Sequence, residues 1–373
     1  MKIGKFVSVI CAAVISAAAL PAFNVSAGTN DGWKKAYASF LKQEIKKSAE
    51  DDPDDILAEK GFSVQDLDSD GIPELMVSGG GWHMAQCSVY RYLGGKKLKK
   101  IGDLGEFGVV SYYPESGTLR SGYSGMGYTF FEIIKLKNGK FETLVSFSDD
   151  SAAVEADPTY EINGKAVSES TYYKKRIEYD SEITYSLGKT FSLDESSIKC
   201  ALGGYGNYKT AYKNYLKTKI PTQEWQSERF FIKKDITGDS VPELFVYDDY
   251  GDFNVFSYSG GRMQLFTGCY SGFGNARAEY DSAAKMLCFS GSSEYGCSYY
   301  FYNIENGKAS LAWAFSEYSD YSGDTPQNIY YINGAKVSKE MWESSLNEFK
   351  GKYTLKKLGK ICKLTEAGIS KAF

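Results

Sequence analysis

Histidine is almost absent from this sequence, because His83 is the only one among 373 residues. A hydrolase that activates a serine or cysteine through a histidine base would have to use this residue. The chain also lacks a G-x-S-x-G nucleophile elbow, an H-E-x-x-H zinc motif and a phosphate-binding P-loop. We therefore assign no catalytic residue from the sequence and expect His83 to be an ordinary loop residue.

Positive charge and proline are also scarce. The 43 lysines and arginines are outnumbered by 47 aspartates and glutamates, which gives a net charge of −4 and argues against a nucleic-acid partner. The 8 prolines stand against 30 tyrosines, 22 phenylalanines and 38 glycines. This composition favours strands and hairpin turns over a bundle of helices.

Long apolar runs are confined to the first residues of the chain. Lys2 and Lys5 precede an apolar run over residues 6–20, which leads to a Val-Ser-Ala sequence. This pattern predicts a secretory signal peptide at residues 1–27, because the run is shorter than the ~20 residues that a membrane-spanning anchor needs. No later segment is apolar for long enough to cross a bilayer. We therefore predict a secreted, extracellular protein that does not span the membrane and is either released or held at the cell surface.

The chain repeats itself. Five short blocks of sequence recur in the same order, at a spacing of 166 to 175 residues. The clearest match pairs residues 66–75 with residues 235–244. A duplication explains five ordered matches more simply than chance does. We therefore predict two tandem homologous modules, at residues 28–204 and 205–373.

Within one module the spacing of the apolar residues changes along the chain. Trp33, Tyr37 and Leu41 lie on one stripe of an amphipathic helix. Residues 62–147 form short runs rich in β-branched and aromatic residues, and residues 168–179 predict a second helix. Each module is thus predicted as a helix, a meander of six to eight strands and a helix, in the α+β class with mostly antiparallel sheet. The pattern leaves open whether the meander forms propeller-like blades or an open sheet.

The most specific local signal is the aspartate-rich loop at residues 66–75. It offers carboxylates at positions 1, 3, 5 and 9 and a backbone carbonyl at position 7, from Asp66, Asp68, Asp70, Glu74 and Ile72. A hard cation such as Ca²⁺ takes oxygen ligands at this spacing. Without a cation the three aspartates would be like charges held close together, which is destabilising. The alternative is a solvated acidic turn between two strands with no bound ion.

This loop resembles the calcium loops of the FG-GAP repeats of integrin α-chains and of the related VCBS repeats, in which such a segment connects two strands of a blade. The resemblance covers the loop and its flanking strands in each module. It implies a Ca²⁺ site in which the four carboxylates and the Ile72 carbonyl are the ligands. An EF-hand sensor is not implied, because Val77 stands at position 12 where an EF-hand has a bidentate acid.

The second module keeps a degenerate copy of the loop. Its corresponding ligand positions are Asp235, Thr237, Asp239, Val241 and Glu243. One carboxylate and the turn glycine are missing, because Thr237 and Ser240 replace them. We expect calcium to bind this copy more weakly, or not at all. The acidic residues 248–252 just downstream either supply a further oxygen or form a solvated hairpin tip.

Six of the seven cysteines follow the predicted signal peptide. An exported protein can form disulfide bonds, although six cysteines allow 15 complete pairings. Cys288 and Cys297 flank a turn-like segment. We therefore predict a disulfide bond between these two residues.

Clusters of tyrosine with glycine and serine, as at residues 121–128, offer adaptable contact surface. Together with the predicted export and the absence of catalytic motifs, they favour a secreted, calcium-stabilised, non-enzymatic binding or adhesion protein. Its partner would be an extracellular glycan or protein. The alternative is a secreted hydrolase, or an accessory module of polysaccharide degradation, that uses carboxylates not identified from the sequence.

Overall fold

The computed structural model describes most of the chain that follows the predicted signal peptide. The described residues are 31–50, 60–125, 127–150, 159–180, 185–221, 227–249, 251–270, 274–293, 296–320 and 327–373. The predicted signal peptide at residues 1–27 lies outside them. Below, residues 31–204 are the first half of the chain and residues 205–373 the second half.

Six helices occur within the described ranges. They are α1 (Gly32–Glu50), α2 (Glu169–Asp180), α3 (Glu195–Leu202), α4 (Tyr208–Thr218), α5 (Lys339–Gly351) and α6 (Glu366–Ala372). None of them is long and apolar enough to cross a membrane. The predicted helix stripe is confirmed in α1, where Trp33, Tyr37 and Leu41 are all buried.

The first half contains twelve strands in two antiparallel sheets. They are β1 (Gly61–Gln65), β2 (Glu74–Ser78), β3 (Cys87–Tyr92), β4 (Leu98–Leu104), β5 (Val110–Tyr113), β6 (Thr118–Gly125), β7 (Tyr128–Lys137), β8 (Lys140–Asp150), β9 (Thr159–Ile162), β10 (Lys165–Val167), β11 (Tyr185–Leu187) and β12 (Phe191–Ser192). One sheet has the order β12-β1-β2-β3-β4 and the other the order β10-β9-β8-β7-β6-β5-β11.

The second half has the same arrangement. Its strands are β13 (Arg229–Lys234), β14 (Glu243–Asp248), β15 (Asp252–Ser259), β16 (Arg262–Tyr270), β17 (Arg277–Asp281), β18 (Met286–Ser293), β19 (Gly296–Glu305), β20 (Lys308–Asp320), β21 (Gln327–Ile332), β22 (Ala335–Val337), β23 (Lys356–Lys357) and β24 (Cys362–Lys363). The sheet orders are β16-β15-β14-β13-β24 and β22-β21-β20-β19-β18-β17-β23.

The predicted fold class is confirmed: the protein is a mostly-β α+β fold with antiparallel sheets. All four sheets are open, since the outermost strands of each one do not pair with one another in the described part of the chain. Each half contains more elements than the predicted sequence of a helix, a meander and a second helix. Two short strands and a further helix follow α2, and β11 and β12 return to pair with β5 and β1.

The two halves share one core of buried side chains. The rings of Phe191 in the first half and Phe256 in the second lie 6.0 Å apart, and Tyr215 of α4 packs against both. On the other side of this core, the guanidinium of Arg262 lies 5.4 Å from the ring centre of Trp33. Residues 31–373 therefore form a single compact unit.

The predicted disulfide between Cys288 and Cys297 is wrong. The β18–β19 register places Cys288 opposite Phe301 and Cys297 opposite Ser292. The two cysteines are therefore four residues apart along the ladder, or about 14 Å at ~3.4 Å per residue. A disulfide bond needs Cα atoms within about 7 Å. All six cysteines of the described chain are free thiols.

Candidate metal site

The aspartate-rich loop of the first half connects β1 to β2. Gln65 at the end of β1 pairs with Glu74 at the start of β2, so the residues between them form a loop whose two ends are held together by the strand pairing. Gly71, at φ 86°, takes the left-handed conformation that lets the chain turn back tightly. The Tyr37 hydroxyl of α1 donates a 2.7 Å hydrogen bond to the Pro73 carbonyl. This bond fixes the end of the loop to the shared core.

Three carboxylates of this loop converge on one point. One oxygen from each of Asp66, Asp68 and Glu74 lies within 4.8 Å of the other two. Glu74 is fully buried, while the two aspartates are half-buried. The structure thus brings together three of the four carboxylates that the sequence predicted as ligands.

Each of these carboxylates uses one oxygen to hold the loop. Asp66 Oδ2 accepts a 3.0 Å hydrogen bond from the Gly71 N–H, and Glu74 Oε2 accepts one of 3.1 Å from the Leu67 N–H. Asp68 Oδ2 accepts a 2.5 Å bond from Arg91 Nη1. The other oxygens, Asp66 Oδ1, Asp68 Oδ1 and Glu74 Oε1, are buried and have no hydrogen-bond partner in the protein.

Such oxygens are rare, because a buried acceptor without a partner costs about 1–3 kcal/mol, and more when it is charged. Burial, together with the nearby charge of Asp68, raises the pKa of Glu74 to about 8. Burial also raises the pKa of Asp66, and the charges of Asp70 and Asp68 add to the effect. The protein alone therefore leaves these carboxylates poorly compensated, and a bound cation would supply the missing partner.

Asp70 lies apart from the converging carboxylates. Asp70 Oδ1 accepts a 2.8 Å hydrogen bond from the Ile72 N–H, and Asp70 Oδ2 accepts one of 2.5 Å from Arg91 Nη2. Asp70 therefore contacts Arg91 at the outer edge of the loop and is not part of the converging triad. Arg91 binds Asp68 and Asp70 together and brings a positive charge into contact with the loop.

Arg91 was missed by reasoning from the loop sequence, because it lies on β3 and reaches the loop only across the sheet. The repeat contained a signal for it. The block that begins at Tyr92 recurs at Tyr258, so Arg91 corresponds to Ser257 in the second half. The arginine is thus present only in the half whose loop carries the additional aspartate.

The second loop, between β13 and β14, is held by its own hydrogen bonds. Asp235 accepts bonds from the N–H groups of Gly238 and Ser240, at 2.6 and 3.0 Å. Glu243 accepts from the Ile236 N–H at 2.9 Å and from the Thr237 hydroxyl at 3.2 Å. Within residues 235–243, all of which the structure describes, no carboxylate oxygen is buried without a partner.

The remaining predicted positions of this loop have ordinary roles. Asp239 accepts a 2.8 Å hydrogen bond from the Val241 N–H, as Asp70 does from Ile72. Ser240 takes the left-handed conformation, at φ 71°, that Gly71 takes in the first loop. The acidic residues at 248–252 form the β14–β15 hairpin, at the far end of β14 from Glu243. About five residues at ~3.4 Å each separate the two ends, so this hairpin supplies no oxygen to the loop.

The converging set in the first loop consists entirely of carboxylate oxygens. Hard cations such as Ca²⁺ and Mg²⁺ prefer such ligands, whereas Zn²⁺ and copper favour nitrogen and sulfur. Ca²⁺ accepts irregular coordination, while Mg²⁺ demands a near-ideal octahedron. The three carboxylates could hold a hard cation of either kind.

His83 lies in an exposed loop, and its imidazole contacts the ring of Trp82 edge-on at 5.9 Å. No protein-family model matches the chain, and no curated protein matches it. Among solved structures, a Xanthomonas protein described as related to a Type IV secretion system is similar over 62% of this chain and 99% of its own length. The sequence identity is 11% and the TM-score 0.18.

Proposed function

We propose that the chain is an exported, non-enzymatic binding protein whose first half is stabilised by a calcium ion held by Asp66, Asp68 and Glu74. The observation that carries this proposal is the convergence of three buried carboxylate oxygens without hydrogen-bond partners. Asp70 and Arg91 form the outer edge of the site, and the positive charge of Arg91 limits the net negative charge there.

The location of the site favours a structural role for the ion. Glu74 begins β2, and its neighbour Leu75 belongs to the core that both halves share. The ion would fix the β1–β2 connection against α1, to which the Tyr37 hydroxyl already binds it. A ligand that binds only the folded state raises stability according to its concentration and affinity, so calcium would stabilise this core.

A binding function, with a glycan or a protein as partner, is supported by aromatic side chains on the outer faces of the sheets. Tyr128 and Phe130 of β7 are 41% and 36% exposed, and Tyr318 of β20 is 43% exposed. Aromatic rings of this kind supply rigid contact area for sugars and for protein surfaces.

The proposal is tested by calorimetric titration of the mature chain with Ca²⁺ and Mg²⁺, followed by a screen of the calcium-loaded protein against arrayed glycans. We expect one calcium site per chain, weaker magnesium binding and loss of the site in Asp68→Asn. Asp239→Asn makes the same charge change in the second loop and is the matched control. Absence of calcium binding at millimolar ion would refute the metal site.

A further inference from the structure

A second feature of the molecule lies away from the calcium loop, where the two halves meet. A cleft of about 590 Å³ opens there. The first half contributes Val109, β11 and the turn that leads to β12, and the second half contributes the end of α4, the start of β13, the end of β14 and the start of β15. Small-molecule sites typically have volumes of about 300–1,000 Å³ and often lie between structural units.

Three planar polar side chains face this cleft and are held by hydrogen bonds. Arg229 Nη1 donates a 3.0 Å bond to the Lys219 carbonyl at the end of α4. Asn254 Nδ2 donates a 3.3 Å bond to Asp252 Oδ1, and the Asp252 N–H donates a 3.1 Å bond to Asp248 Oδ1. The guanidinium, amide and carboxylate are thereby fixed before any ligand arrives, which reduces the entropy lost on binding.

Asp252 has the environment of a group inside a binding site. It is accessible to water, yet protein atoms surround it on most sides, as expected for a side chain that points into a cleft. This separation from bulk water, together with the charge of Asp248, raises the pKa of Asp252 to about 6. Perturbed carboxyl groups in clefts are common at functional sites.

The charges of the cleft indicate what kind of ligand fits. Lys189, Lys219 and Arg229 oppose Asp248 and Asp252, so the lining carries one excess positive charge in a chain whose net charge is −4. A singly charged anion balances this excess, whereas a doubly charged phosphate would leave the occupied cleft with a net negative charge. The neighbouring carboxylate and amide can each engage a pair of hydroxyl groups through two coplanar atoms.

We propose that this cleft binds a saccharide that carries a carboxylate, such as a uronic acid unit at the end of an acidic glycan. Arg229 binds the carboxylate through its free N–H groups, and Asp252 and Asn254 bind the hydroxyls. Tyr185 is partly exposed and provides an aromatic wall against which a sugar ring packs. The inference rests on the proposed binding function and names the ligand class and its site.

The experiment is calorimetric titration of the mature chain with trimers of D-galacturonic acid and of D-glucuronic acid. The methyl esters of the same trimers serve as neutral controls of nearly the same shape. Calcium is kept at the concentration that saturates the melting response. We expect at least one acid trimer to bind and its methyl ester to bind about tenfold more weakly, because a charged hydrogen bond contributes about 1.5–3 kcal/mol.

Two variants locate the site, and the melting temperature of each one checks its fold. Arg229→Gln retains a donor for the Lys219 carbonyl but loses the charge, and it should lower the affinity about tenfold. Asn254→Ala should weaken the acid and the ester alike. Arg277→Gln, an exposed arginine at the start of β17, is the matched control and should leave binding unchanged.

Failure to bind either acid trimer, or equal binding of acid and ester, overturns the inference. Full binding by both folded cleft variants overturns it as well. The proposed calcium site is tested independently of the cleft. If calcium changes the melting temperature but no sugar binds, the metal site stands and the cleft proposal is overturned. If a sugar binds but calcium leaves the melting temperature unchanged, the cleft proposal stands and the metal site is refuted.

Discussion

The Thr237 hydroxyl donates a 3.2 Å hydrogen bond to Oε1 of Glu243 in the second loop. Asp68 stands at the corresponding place in the first loop, and an ionised aspartate has no proton to donate. Oε1 of Glu74, which corresponds to that of Glu243, is accordingly buried without a partner. One side chain thus separates a loop that satisfies its own buried glutamate from a loop that leaves this glutamate without a partner at Oε1.

Calcium should raise the melting temperature of the whole described unit, because both halves share one core. At a calcium concentration of about 100 times Kd, the free energy of unfolding should increase by about 2.7 kcal/mol. Differential scanning calorimetry in calcium and in chelator measures this change. Identical transitions under the two conditions would mean that the loop is only an acidic turn.

Asp68→Thr should convert the first loop into a copy of the second. The new hydroxyl can donate to Glu74 Oε1, and one like charge is removed, so the stability in chelator should rise by about 1 kcal/mol. The gain from calcium should disappear at the same time. Asp239→Asn, the control, should keep the calcium response of the unmodified protein.

Thr237→Asp with Ser240→Gly should have the reverse effect on the second loop. The double substitution restores the missing carboxylate and the glycine suited to the left-handed turn, where Ser240 has φ 71°. In chelator the variant should melt lower than the unmodified protein, because Glu243 loses its donor. In calcium, titration should count one additional site per chain, and an unchanged count would contradict the equivalence of the two loops.

Glu243 should make stability depend on pH near neutrality. Burial raises the pKa of Glu243 to about 7 in the folded state, above its ordinary value of 4.5. A raised carboxyl pKa stabilises the fold below about pH 4.5, and this contribution is lost as the pH rises through 7. Glu243→Gln should remove this pH-dependent loss of stability. In calcium, the melting temperature of the variant should therefore fall less between pH 5 and 8 than that of the unmodified protein. Glu305→Gln, at the exposed end of β19, should follow the unmodified protein.

Cys288 and Cys297 should remain unlinked in protein recovered from an oxidising medium, because the β18–β19 register holds them four residues apart. The test is mass spectrometry of an unreduced digest, after the thiols are alkylated under denaturing conditions, because it distinguishes free cysteines from linked ones. We expect both peptides to carry the alkyl label. A peptide cross-linked through these two cysteines would contradict the strand register.

Much of the fold was predictable, because its long elements have clear periodicity. The stripe of Trp33, Tyr37 and Leu41 predicts α1, and the helix predicted at residues 168–179 is α2, which Ser168 caps through its bond to the Thr171 N–H. β11 and β12 were not predicted, because strands of three and two residues are too short to show an alternating pattern. Their pairing with β5 and β1 joins residues that lie more than 70 positions apart.

The site was predictable only in part, for a related reason. The spacing within one loop places Asp66, Asp68 and Glu74 together, because local turns fix those directions. Asp70 lies outside this set and contacts Arg91, which is on a different strand and is not visible in the loop sequence. The cleft was not predictable from any short segment, since Tyr185, Arg229 and Asp252 meet only when the two halves pack.

The shared core has a consequence for how the two loops came to differ. A symmetric homodimer made of identical chains must carry every substitution twice, so a change that suits one subunit is imposed on the other. Here the contact between Phe191 and Phe256 joins two halves of one polypeptide, so no such constraint applies. One half can carry the Thr237 hydroxyl while the other carries the Asp68 carboxylate at the corresponding place.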